Sequence, residues 1–119
     1  PALNQVELHP GFQQRSLRAV HDKMGIVTQS WSPLGQGNAM GREAIDRISG
    51  DIGQPGAAVV IRWHIQHGLS TIPKASSRDH IEANFRALDF ELTDDQMAAI
   101  DELDDPEGRM GPEPGSFND

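Results

Sequence analysis

The chain has 119 residues, 36% of them hydrophobic, with 18 Asp and Glu against 10 Lys and Arg and no cysteine, for a formal charge of −8. That length suits one domain of the common ~100–150-residue class, and the acidity argues against a nucleic-acid backbone or an anionic membrane as partner, since both repel it. Without thiols, disulfides, a thiolate nucleophile and Cys-ligated zinc are excluded, which fits a reducing compartment, and the expected location is the cytoplasm. No apolar run approaches the ~20 residues of a membrane span. The chain opens Pro1-Ala2-Leu3 rather than on Met, so a processed or partial product is expected. Charge is uneven: residues 89–119 carry eleven acids and one base, Arg109, whereas the first 88 carry nine bases and seven acids. An anion site therefore belongs in the first part, and the acidic end reads as a solvated helix face and tail.

In chain order, Asn4–Leu8 reads as a short strand, followed by a helix over Gln13–Met24 with Leu17, Val20 and Met24 on its apolar side. Gly25 stops that helix. Ile26–Ser30 is a second strand, leading into the glycine-rich stretch PLGQGNAMG and a short amphipathic turn around Ile45 and Ile48. Pro55 opens a helix as a first-turn residue and Gly68 closes it, with Ala57, Val60, Ile61 and Ile65 as a broad apolar face. Ser70–Pro73 is a third strand. Ser76 with Asp79 resembles a capping box before a helix presenting Ile81, Phe85 and Leu88, and Thr93 with Gln96 opens another that buries Met97, Ile100 and Leu103. Beyond Asp105 the prolines and glycines predict an irregular tail.

Strands alternating with helices predict a parallel sheet with helical crossovers. Three such strands make a poor finished domain, because edges stay unpaired and parallel sheets are usually covered on both faces. Part of a larger sheet or barrel is the expectation.

In the first strand Val6 and Leu8 point one way and Gln5 and Glu7 the other. With the apolar pair against helices, the polar pair faces a barrel interior or the open face of a sheet. Polar residues near the C-terminal ends of such strands mark a site. Trp31-Ser32-Pro33-Leu34-Gly35-Gln36-Gly37 follows the second strand and offers an aromatic plane beside a loop of backbone N–H groups. Lys74, Ser76 and Ser77 follow the third at a helix start, a combination suited to phosphate. Both features also occur as plain loops and caps. His64 and His67, three apart, lack a third ligand at useful spacing and read as surface and cap residues rather than a metal site. His9 is placed to contact a substrate or to pack beside Pro10.

The strings NQVELHP, GIVTQSWSPLGQG, RWHIQHG, TIPKASSRDHIEAN, LDFELT and RMGPEPGSF occur in that order. Together, from Asn4 to Phe117, they resemble the C-terminal part of an aldo-keto reductase, above all the bacterial 2,5-diketo-gluconate reductase-like branch. The resemblance implies an α/β fold, a (β/α)8 TIM barrel, of which this chain supplies the sixth to eighth strands with their helices. Residues 1–119 are then an incomplete C-terminal segment, with 105–119 an irregular tail. It implies reduction of small aldehydes and ketones with NADPH, NADH being the alternative cofactor. Gln5 would hold the nicotinamide carboxamide and Trp31 would stack on its ring. Ser32, Leu34, Gly35 and Gln36 would line the pyrophosphate. Lys74, with Ser76 nearby, would bind the adenosine 2′-phosphate, Asn84 would contact the adenine, and the tail from Arg109 to Phe117 would border the substrate mouth.

Departures from the family pattern weaken the NADPH preference that Lys74 implies. Ala75 replaces a frequent serine, Ala83 a frequent glutamate, and His80 stands where many relatives have an arginine that grips the phosphate with two bonds. The family's catalytic Asp, Tyr, Lys and His would all lie upstream of Pro1, and the chain contains no tyrosine. No catalytic residue is therefore assigned to it, and alone it is expected to be inactive. The alternative is a non-enzymatic, truncated acidic α/β module that binds a nucleotide or a partner half.

Overall fold

The computed structural model describes residues 3–30, 43–71 and 78–105, without the side chains of Thr71 and residues 78–81. The elements are β1 (Leu3–Val6), α1 (Arg15–Met24), β2 (Val27–Ser30), α2 (Glu43–Ile52), α3 (Gly56–Gln66), β3 (Ser70–Thr71), α4 (Arg78–Arg86) and α5 (Asp94–Asp101). The strands form one parallel sheet in the order β1-β2-β3. Gln5 is in register with Gln29, and Gln29 with Ser70. The expected glycine-rich stretch and residues 106–119 of the tail lie outside the described residues.

Two helices end by the same device. Gly25 and Gly68 both take φ of 72°, the left-handed conformation that a side chain disfavours. The next residue then donates back into the last turn, Ile26 to the His21 carbonyl at 2.8 Å and Leu69 to that of His64 at 2.9 Å. Each reversal feeds directly into a strand. At the other end of the chain, the Thr93–Gln96 capping box of α5 forms in both directions, leaving Ile100 buried as expected.

The core lies on one side of the sheet, where Leu8, Ile45, Val59, Val60, Trp63 and Ile100 are buried together. Three expected apolar faces differ from what is built. On α1 the buried residue is His21, while Val20 and Met24 are 50% and 67% exposed. His21 faces the sheet because Asn4 Nδ2–H donates to its Nε2 at 3.1 Å and its Nδ1–H donates to Thr28 Oγ1 at 2.8 Å. On α3, Val59, Trp63 and His64 are fully buried and Ile65 is exposed. This helix is flanked by α2, α4 and β3, so burial wraps most of its circumference and Ile65 falls on the remaining strip. On α4 and just beyond its end, Ala83 and Ala87 are buried, and the small size of Ala83 lets α4 approach α3, while Phe85 and Leu88 are exposed. The expected turn around Ile45 and Ile48 is a ten-residue helix, α2, with both isoleucines buried.

α5 is tied to the rest through polar groups. Gln13, fully buried, donates through Nε2 to the carbonyls of Pro10 and Ile100, while its backbone N–H donates to Asp104 Oδ1. Asp101 Oδ1 accepts from Trp63 Nε1–H at 2.9 Å and from His67 Nε2–H at 2.8 Å. His67 is thus the helix-end residue expected. His64 is not the surface residue expected: its Nδ1–H donates to the Val60 carbonyl at 2.9 Å in a fully buried setting.

Candidate functional site

Alternation along β1 and β2 sorts their side chains onto two faces. Asn4 and Thr28 turn to α1 through His21, and Val6 and Leu8 join the core. Leu3, Gln5 and Val27 on the other face are exposed. Gln5 therefore stands, as the alternation predicts, on the side that the described helices leave uncovered and one residue from the C-terminal end of β1. Glu7 does not share its exposure. The strand stops at Val6, and the chain turns back on itself through paired backbone bonds between His9 and Phe12 at 3.1 and 2.8 Å. This buries Glu7, whose Oε2 accepts from His9 Nε2–H at 3.1 Å, while its carbonyl accepts from Gln14 at 2.9 Å. His9 is thus held by a carboxylate.

The same alternation places Gln29 beside Gln5, a residue missed when only the first strand was read for polar inward positions. Gln29 Nε2–H donates to Ser70 Oγ at 3.3 Å, so a polar row crosses all three strands on the uncovered face. The chain leaves β2 after Ser30 and β3 after Thr71 at this same end. Trp31, Ser32, Leu34, Gly35, Gln36, Lys74 and Ser76 lie outside the described residues. His80 belongs to α4, with its side chain outside them. Asn84, half-buried on α4, is described, and stands on a different element from Gln5.

A cleft of about 400 Å³ opens at the opposite end, by the starts of β2 and β3, lined by Arg15, Arg18, Asp22, Thr28 and His67 among others. Burial lowers the Arg18 pKa, with Asp101 the strongest opposing influence. Arginine and carboxylate charges are mixed there, which gives no preference for a phosphate. Burial also pulls His64 down to about 4, outweighing the opposing pull of the Val60 and Leu8 carbonyls. Among the described residues no group of three or more His, Cys, Asp or Glu is placed to hold a metal ion.

A parallel α/β sheet with a polar edge at the C-terminal ends of its strands is the common setting of a ligand-binding α/β protein. The sequence profile of the aldo/keto reductase family matches residues 1–105, and the chain belongs to that family. It is 45% identical over 118 residues to an aldo-keto reductase of Mycobacterium sp. (strain JLS), covering 99% of this chain and 42% of the relative. Methylglyoxal reductase DkgA of Salmonella typhimurium is 41% identical, covering 98% of this chain and 43% of that protein. Among solved structures, a Gox0644 mutant in complex with NADPH matches with a TM-score of 0.91 at 45% identity, over 98% of this chain and 43% of that one. A putative 2,5-diketo-D-gluconic acid reductase B matches with a TM-score of 0.86 at 30% identity, over 95% and 41%, in keeping with the branch that the motifs resemble. The chain thus spans well under half the length of these relatives.

Proposed function

We propose that this chain is the cofactor-binding part of an NADPH-dependent oxidoreductase that reduces aldehydes or ketones to alcohols. Its strands would be the sixth to eighth of a (β/α)8 barrel whose interior is the uncovered face. The observation that carries this reading is the exposed Gln5 near the C-terminal end of β1, on the face that none of the described helices covers. A carboxamide presents a donor and an acceptor side by side, which fits the matching pair on a nicotinamide carboxamide. When bound, the dinucleotide supplies a hydride to the carbonyl carbon.

The chain's own residues bind and orient. Gln5 would fix the nicotinamide, Trp31 would stack on it, and Ser32, Leu34, Gly35 and Gln36 would offer polar and backbone groups to the pyrophosphate. Lys74 and Ser76 would hold the 2′-phosphate, with His80 and Asn84 toward the adenosine. The small carbonyl substrate of the Salmonella relative, methylglyoxal by its name, indicates the substrate class. The proton donor for the product alcohol would come from residues outside this segment.

The test is a titration of NADPH and NADH against the whole protein carrying this segment, followed by tryptophan fluorescence. Lys74→Ala should weaken NADPH selectively. His80→Arg should strengthen NADPH several-fold or more and leave NADH nearly unchanged, as a charge-assisted bond is worth ~1.5–3 kcal/mol. Equal changes for both cofactors would remove Lys74 and His80 from the 2′-phosphate.

A further inference from the structure

We propose that Gln29 is a positioning residue that acts through Gln5, a role resting on the reading of Gln5 as the nicotinamide contact. Gln5 and Gln29 are register partners on adjacent parallel strands, so their side chains leave the same face about 4.8 Å apart. Gln5 is exposed, and ordering its long side chain has an entropic cost when a ligand binds. Gln29 is half-buried, and its Nε2–H is committed to Ser70 Oγ on the third strand at 3.3 Å.

That bond fixes the plane of the Gln29 carboxamide. With its nitrogen turned to β3, its carbonyl oxygen is presented away from β3, toward the side where β1 carries Gln5. The described residues show no hydrogen bond between the two carboxamides, so this contact would form when a ligand orders Gln5 and brings one of its N–H groups to that oxygen. Gln5 would keep its other N–H and its carbonyl oxygen, the donor–acceptor pair that a second carboxamide requires. Ser70 therefore orients Gln29, and Gln29 orients Gln5. The row runs across the strands at the level where the ligand would sit.

The experiment is a double-mutant cycle in the whole protein carrying this segment, with NADPH and adenosine 2′,5′-bisphosphate as the two titrants. The second titrant has no nicotinamide. Gln5→Ala and Gln29→Leu should each weaken NADPH by ~2–10-fold, the range of one neutral hydrogen bond, and Ser70→Ala should weaken it less. None should change binding of the bisphosphate. In the Gln5→Ala background, Gln29→Leu should have no further effect, because its influence passes through Gln5. Additive losses, a Gln29→Leu variant with unchanged NADPH affinity, or equal losses for both titrants under Gln29→Leu and Ser70→Ala would overturn the proposal. If Gln5→Ala leaves NADPH binding intact, the reading of Gln5 itself fails, and with it this one.

Discussion

On the helix side of the sheet, Asn4, His21 and Thr28 close a hydrogen-bonded line onto α1, and Leu8 and Trp63 are sealed in the core. On the other side, Leu3 is 52% exposed, Val27 36%, and the polar residues Gln5, Gln29 and Ser70 form a row with no helix over it among the described residues. In the first region the polar side chains of Asn4, His21 and Thr28 are satisfied by one another and serve stability. In the second, the Gln5 side chain is exposed. Substitutions should separate the two regions cleanly.

The largest effect is expected on the packed side. Trp63 is fully buried, meets His64 and His67 edge-on at ring-centroid distances of 4.9 and 4.8 Å, and donates to Asp101. Trp63→Ala should cost ~3–5 kcal/mol, and the far-UV helical signal should weaken or vanish. Retention of the full signal with an unchanged denaturation midpoint would show that α3 is not the centre of the core.

A smaller effect follows from His64. Its folded pKa is about 4 against an ordinary 6.5, so between those values the unfolded chain binds more protons than the folded one. The stability of the neutral state is complete above about pH 6.5 and is lost as pH falls toward 4, by ~3 kcal/mol in all. Denaturant unfolding from pH 7 to 4 should show this slope, and His64→Gln should flatten it. An identical slope in the variant would assign the acid sensitivity elsewhere.

The smallest effect belongs to the uncovered face. Leu3→Ser should alter stability by no more than ~0.5 kcal/mol, since an exposed side chain has little packing to lose. A loss several times larger would mean that this face is covered within the segment itself.

Much of this division was legible in the sequence. Glycine signals at Gly25 and Gly68, the Thr93–Gln96 box and the alternation of β1 all point to the elements found, because each depends on local geometry. The faces of α1, α3 and α4 were less legible. A helix wheel ranks residues by hydrophobicity, whereas His21 is drawn inward by two hydrogen-bond partners distant in sequence, and Ile65 is left outside by how three elements surround α3. The Gln29–Ser70 bond needed the register of three strands, which no single segment encodes. For the candidate site, the alternation predicted Gln5 on its face, but the burial of Glu7 was not legible, because the strand stops at Val6, two residues earlier than expected, and the chain folds over. Lys74 and Trp31 follow from motif likeness, not from any packing of described residues.

Hydrogen exchange of the whole protein carrying this segment, with and without NADPH, tests the separation most directly. The account predicts slowed exchange at β1 and β2 near Gln5 and Gln29 and at the start of α4. It predicts no change at Arg15–Met24 or at Gly68 and Leu69, which border the cleft at the other end of the sheet. Protection confined to that cleft, with the amides around Gln5 and Gln29 unaffected, would contradict it.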